Sequence, residues 1–371
     1  MVSDYTPPPT TQATLKGAPY VTVSPVGLAQ GYPKNNNANY GPDTPGTTTC
    51  GIQEAINTGL KVRLLVGVFF MTSPLTISTI GQVLEGAGSG SPTNQSVITS
   101  NLGSPNSTIT VSARAVTLRD FTTNSYGAGA TGLNIQGDSV LCYGLTFYET
   151  IGVQILGTQS NFFGCAWINN TTCLYIGTDG NGCRVIGGEM NTNAANSVLV
   201  DVEGGDTCTV MGVSLGGTAT STILKLNHAD SLCHFIGNRI EGANYVIDFV
   251  SNKGDYIVGN EYASVTGFFT GTPEVVGLTV KDNYPFNPQG FAITTPEVGA
   301  STVDVQNTNP FPVRIYLLTG GTGTAFQITD PSGTAQAITV TLAAGMEFTL
   351  DPGAKIQFTY TAAPTWKWYG V

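Results

Sequence analysis

VTLRDF (116–121), CYGLTF (142–147), FFGCAW (162–167), VIGGEM (185–190), VMGVSL (210–215), FIGNRI (235–240) and IVGNEY (257–262) are versions of one phrase. An apolar strand runs into a residue that is usually glycine, and an aromatic or large aliphatic residue follows three positions later. A weaker copy, TVKDNY, occupies 279–284. The marker falls at Leu118, Gly144, Gly164, Gly187, Gly212, Gly237, Gly259 and Lys281, at intervals of 20–26 residues. The last copy also fits one residue later, where Asn283 matches Asn260.

A second series shares the period: Leu133/Ile135, Val153/Ile155, Leu174/Ile176, Val198/Val200, Leu224/Leu226 and Val246/Asp248. Each is a short alternating strand, and alternation turns one face inward. Two series with one period mean one coil of chain per period. Leucine-rich repeats have a similar period but need a consensus that is missing here, and helical repeats need long amphipathic runs. The pattern therefore predicts a β-solenoid, specifically a right-handed parallel β-helix. Cys183, Cys208 and Cys233 each stand four residues before a marker glycine, where other coils carry Val140, Ser160 and Asp255. Stacking predicts a column of free structural thiols, and without a C-x-x-C pair no metal is expected. Asn238 and Asn260 follow the glycine in consecutive coils and are expected to bond along the rod axis.

Composition sets the class. The chain has 371 residues, 47 of them glycine, only 10% charged, with a formal net charge of −10. That is the profile of a turn-rich all-β protein. With 14 Lys plus Arg and no basic patch, nucleic acid is not an expected partner. No apolar run reaches the 18 residues of a membrane span, and the first residues, MVSDYTPPPTTQ, do not read as a signal peptide. The odd count of seven cysteines suits synthesis in a reducing cytoplasm. No cofactor is expected.

Residues 1–48 are rich in Pro, Thr and Asn and are read as an extended segment. Thr48 or Thr49 then caps a short helix carrying Ile52, Ala55 and Ile56, placed to cover the open end of the solenoid. The order GPDT (41–44), GIQEAI (51–56), LLVGVFF (64–70), PLTI (74–77) and VLEGAGSGSPTNQSVI (83–98) resembles the entry into the pectate-lyase-like superfamily of parallel β-helices. EGAGSG (85–90) reads as a turn between coils, since no P-loop Lys-Ser/Thr follows. The solenoid is expected over 49–285 and a linker or cap over 286–300. Six or seven short strands separated by NPFP, GGTG, DPSG and DPGA predict an antiparallel β-sandwich over 301–371. NPQG, this sandwich and the terminal APTWKWYG resemble C-terminal modules of phage and archaeal-virus structural proteins that carry β-helices.

The superfamily includes lyases and hydrolases of acidic polysaccharides, but its catalytic motifs do not transfer. His228 and His234 are not in Gly-His-Gly, and there is no Arg-x-Lys or Asp-Asp pair. A different carboxylate pair is sought in a column two residues after the marker: Asp120, Glu189 and Glu261, with Arg239 between the last two and expected to pair with Glu261. Asp201, Glu203 and Asp206 form a second acidic cluster. Trp366, Trp368 and Tyr369 are candidates for a sugar platform, against a role in the sandwich core or a subunit contact.

The resemblances imply a virion structural protein, a spike, fibre or turret on a virus surface, rather than an enzyme. The partners so implied are copies of itself in a homotrimer or other cyclic homo-oligomer, capsid or tail proteins at the N-terminal segment, and a host-surface glycan. The alternatives are a polysaccharide depolymerase, either lyase or glycoside hydrolase, and a cell-surface adhesin or filament subunit. The corresponding locations are the virion surface or, for the alternatives, the extracellular space or cell surface.

Overall fold

Between Tyr143 and Leu145 the chain turns a corner on one residue, Gly144, at φ 55°. Gly164, Gly187, Gly212, Gly237 and Gly259 repeat this left-handed turn at φ 58–68°. Asp120 (φ 59°) and Asp282 (φ 56°) make it in the first and last copies. The strand register agrees, pairing Arg119 with Tyr143 and Val258 with Lys281. The markers therefore lie at Asp120 and Asp282, not at Leu118 and Lys281. Asp tolerates the left-handed region better than most side chains, so the turn persists without glycine.

The computed structural model describes residues 20–89, 94–205, 207–228, 232–271, 273–274, 277–284, 292–309 and 311–371. Each coil has three faces. The first ladder is an 11-stranded parallel sheet running from Val21–Val23 to Thr279–Lys281. The second ladder begins with Gly67–Met71 and the third with Leu75–Ile77. These two join into one 16-stranded sheet because the long strand Arg239–Ser251 takes part in both. The β-solenoid fold is as the repeat predicts, but a coil holds three strands where the apolar series marks two.

The third-ladder register corrects two alignments. Val200, Leu224 and Ile247 stack directly, so the inward pairs are Val200/Val202 and Ile247/Phe249. Asp248 consequently faces outward, beside Lys225. Strand Val21–Val23 pairs with Val62–Leu64, with Val21 and Val23 fully buried. The solenoid thus begins within the segment read as an extended leader, whose residues 1–19 lie outside the described residues.

Helix α1 (Ile52–Ile56) buries Ile52, Ala55 and Ile56 against the first coil. Gly51, not a threonine, stands at its N-cap, yet the Thr49 hydroxyl accepts the Gln53 N–H at 3.2 Å. Gly86 stands at the corner from the first ladder to the second, within a coil and not between coils as expected of EGAGSG, and a side chain there would collide with the Asp120 carbonyl.

Two polar or semi-polar columns fill the interior. Cys183, Cys208 and Cys233 are register partners in consecutive coils, and all seven cysteines are free and buried. Burial pushes the Cys183 thiol up to about 12. Asn238, Asn260 and Asn283 form a buried amide ladder. Asn238 Nδ2 donates to Asn260 Oδ1 at 3.0 Å, and Asn260 Nδ2 donates to Asn283 Oδ1 at 2.8 Å. Each amide also serves backbone groups left open by the corner, as when Asn260 Nδ2 donates to the Phe235 carbonyl.

The C-terminal strands form a four-stranded and a three-stranded antiparallel sheet. They enclose a separate core that includes Val313, Ile315, Leu350, Ile356, Trp366 and Trp368. Ile293 and Val298 pack on this core, so 292–300 belongs with the sandwich. Among the described residues, no helix is long and apolar enough to cross a membrane.

Candidate functional site

Strand alternation in the second ladder puts Phe69 into the core and Phe70 into solvent. Phe70 then heads an outward column: Phe70 pairs with Thr99, Thr99 with Asn124, and Asn124 with Tyr148. Beside it runs Val68, Val97, Thr122 and Thr146. A groove of about 390 Å³ lies on these two columns, and no charged residue lines it. Phe70 and Tyr126 are each 73% exposed at its rim, and Tyr148 adds a third aromatic face. Asn124 Nδ2 donates to the Tyr126 hydroxyl at 3.1 Å, and Thr122 Oγ1 donates to Gln95 Oε1 at 3.0 Å on the floor. Aromatic faces with fixed amides and hydroxyls suit a polar ligand that also has C–H surfaces.

Farther along the same face the column continues through Ala166, Glu189, Ser214, Arg239 and Glu261. Glu189 and Glu261 are both exposed and three rungs apart, or about 14 Å at the ordinary strand spacing. That exceeds the roughly 5–9.5 Å used by glycosidase carboxyl pairs. Arg239 and Glu261 are neighbours in register, but no ion pair joins them within 4.0 Å. Asp120 is not in this column at all, because it makes the left-handed corner.

The third ladder carries a different cluster. Lys225 Nζ lies 3.1 Å from Asp201 Oδ1 and 2.8 Å from Glu203 Oε1, and Asn227 Nδ2 donates to Glu203 Oε2 at 2.7 Å. Asp248 is the next rung beyond Lys225. Asp201 and Asp248 are therefore two rungs apart, about 9.6 Å by strand spacing. Burial raises the Asp201 carboxyl above its ordinary value, more than Lys225 lowers it. Burial alone would lower Lys225, but hydrogen bonds to Glu203 and Asp201 prevail and raise it. Lys225 is thus a fixed cation rather than a base. Asp206 lies outside the described residues. No group of three or more His, Cys, Asp or Glu among the described residues is placed to hold a metal ion.

Trp366 and Trp368 share a strand face as alternation predicts, but that face points inward. They are 6% and 1% exposed, and Trp366 Nε1 donates to the Pro296 carbonyl at 2.8 Å. They are core, not a platform. Tyr369 points the other way, meets Tyr316 edge-on at 5.3 Å, and lines an open cavity of about 730 Å³ with Arg314 and Leu318.

The groove residues Phe70, Asn124, Tyr126 and Tyr148 escaped sequence reading. They lie on different coils, and Phe70 sits in the apolar run LLVGVFF, where nothing local says which side is out.

No family model and no curated protein matches the chain. Among solved structures, Geobacillus virus E2 ORF18 aligns with a TM-score of 0.51 at 15% identity, covering 84% of this chain and 72% of that one. The tailspike protein 2 of Escherichia coli O157:H7 bacteriophage CAB120 aligns with a TM-score of 0.44 at 12% identity, covering 96% and 68%. An alginate lyase from Paenibacillus sp. gives 0.43 at 14% identity, covering 60% and 95%. The first of these likenesses shows a shared fold.

Proposed function

We propose that this chain is the displayed rod of a virus, a spike, fibre or turret, and that it binds neutral glycans in the groove beneath Phe70, Tyr126 and Tyr148. The carrying observation is that groove: three exposed aromatic faces and an uncharged lining in a chain of net charge −10. Sugar C–H faces stack on such rings, while the Asn124 amide and the Thr99 hydroxyl serve sugar hydroxyls. The uncharged lining favours a neutral sugar over a uronate. The fold likeness to Geobacillus virus E2 ORF18 supports the viral setting. The part of the N-terminal segment ahead of strand Val21–Val23, whose residues 1–19 lie outside the described residues, is the proposed anchor to capsid or tail. Calorimetric titration with neutral and acidic oligosaccharides tests the glycan reading. A neutral oligosaccharide is expected to bind, and Phe70→Ala or Tyr126→Ala to weaken it at least tenfold. The reading fails if no neutral glycan binds or if both variants bind like the parent.

Depolymerase activity is the second reading, favoured by Asp201 and Asp248 on either side of Lys225. Their strand-to-strand spacing, about 9.6 Å, lies just beyond the range of about 6.5–9.5 Å for the carboxyl groups of inverting hydrolysis, which side chains leaning toward each other would meet. Asp201, with its raised carboxyl, would be the general acid. Release of reducing ends that Asp201→Asn abolishes would establish this reading. Intact polysaccharide after prolonged incubation would remove it.

A further inference from the structure

The outward column of the first ladder reads Arg63, Glu85, Arg119, Tyr143, Phe163, Ile186, Met211, Ile236, Val258 and Lys281. Six consecutive rungs, Tyr143 to Val258, are apolar although they face away from the core. Tyr143 and Met211 are each 38% exposed, and the four others are half-buried. The rings of Tyr143 and Phe163 stack at 5.0 Å and 13°, giving a flat start to the stripe. Five steps of ~4.8 Å make it ~24 Å long, straight and parallel to the rod.

Charge is sorted between the faces. The second ladder shows Glu189, Glu241 and Glu261 outward, and the third shows Asp201 and Asp248. The described strands of the first ladder turn out only one carboxylate, Glu85, and it is held by Lys61 at 2.8 Å, Arg63 at 3.5 Å and Arg119. Burial works against the charge on Glu85, yet the hydrogen bonds from Lys61 and Arg119 hold its carboxyl below the usual range.

We infer that the apolar stripe of the first ladder is the contact between copies of this chain. Two chains of net charge −10 repel unless they meet on a surface free of unpaired carboxylates, and the first ladder is the face that meets this condition. A second copy also presents the same stripe with the same rung spacing, so each rung finds an apolar partner along the whole length. Closed association about an axis follows from such a self-matching surface. The second and third ladders then face solvent, leaving the aromatic groove and the Lys225 cluster displayed.

Native mass by light scattering across a dilution series tests this, with Met211→Glu/Ile236→Glu against Asn191→Glu on the second ladder as control. All three positions point outward, and an unchanged melting curve checks the fold. The parent and the control are expected to share an oligomeric mass, and the stripe variant to run as a monomer at concentrations at least tenfold higher. A monomeric parent, or a stripe variant that keeps the parent's mass, would overturn the inference. Maleimide labelling locates the contact independently, because the seven natural thiols are buried. In the oligomer, Met211→Cys is expected to react at least tenfold more slowly than Ser214→Cys, and equal rates would place the contact elsewhere. Glycan titration of the monomeric variant separates this result from the glycan reading, since the groove lies on a different face.

Discussion

The solenoid and the C-terminal sandwich bury their polar and aromatic groups by different rules. In the solenoid every coil meets only its neighbours, so stability lies in columns: the Asn238–Asn260–Asn283 amides, the thiols, and the aliphatic stacks. In the sandwich two sheets, not successive coils, meet in the core. One set of rings, Phe326, Phe348, Phe358, Trp366 and Trp368, meets edge-on or tilted across the two sheets at 4.8–5.6 Å. A column failure should spread to adjacent coils, whereas a ring failure should stay within its own core.

Trp368→Ala should have the largest effect. Emptying a fully buried indole costs roughly 3–5 kcal/mol. Calorimetry is expected to show an early transition for the sandwich with the solenoid transition in place. A single merged shift would mean that the two cores unfold as one. Next comes Asn260→Ala. Its amide accepts from Asn238 N and Nδ2 and donates to Phe235 O and Asn283 Oδ1, so its loss strands several buried groups. A cost of roughly 2–4 kcal/mol is expected. Hydrogen exchange should quicken in the coils of Asn238 and Asn283, and exchange confined to the mutated coil would refute columnar coupling.

Glu149 gives a pH-dependent version of the same comparison. It is buried, no group meets its carboxyl oxygens in good hydrogen-bond geometry, and burial pushes it up to about 8. Folding therefore favours the neutral acid. Its contribution is complete below the unfolded value of 4.5 and is lost as pH rises toward 8. Glu149→Gln should flatten the fall of the solenoid melting temperature between these limits, an effect of roughly 2–3 kcal/mol near neutrality. A parent whose solenoid transition is already flat in that window would show that Glu149 does not titrate there. The smallest effect is Lys225→Met, which breaks a part-exposed network worth about 1 kcal/mol or less. Its readout is a lost salt dependence of the solenoid transition, and a loss of several kcal/mol would mark the network as structural.

Legibility in the sequence followed the same division. The coil period was readable because stacking forces similar residues into one column. Asn260 and Asn283 could be matched by eye, and the structure shows them bonded. The marker slipped to Leu118 because Asp120 makes the turn that glycine makes elsewhere. The sandwich strands were readable from their turn signals. The orientation of Trp366 and Trp368 was not, since alternation says that two residues share a face without saying which face is covered. The uncharged stripe hid in CYG, FFG, VIG, VMG, FIG and IVG, where its residues stand beside core residues of the same character.

By itself the sequence determined the solenoid, its recurring glycine marker, its amide and thiol columns, and the separate sandwich. These follow from local conformation and from repetition, which act over a few residues or at one period. Only the tertiary structure decided that Glu189 and Glu261 stand too far apart to act as a pair. It alone made Asp201, Lys225 and Asp248 neighbours, gathered Phe70, Tyr126 and Tyr148 around a groove, and turned Tyr143 through Val258 outward. The reason is physical: neighbours on the surface of a coil belong to different coils. The lengths of the intervening loops vary, so hydrogen-bond register, not spacing along the chain, sets which side chains meet.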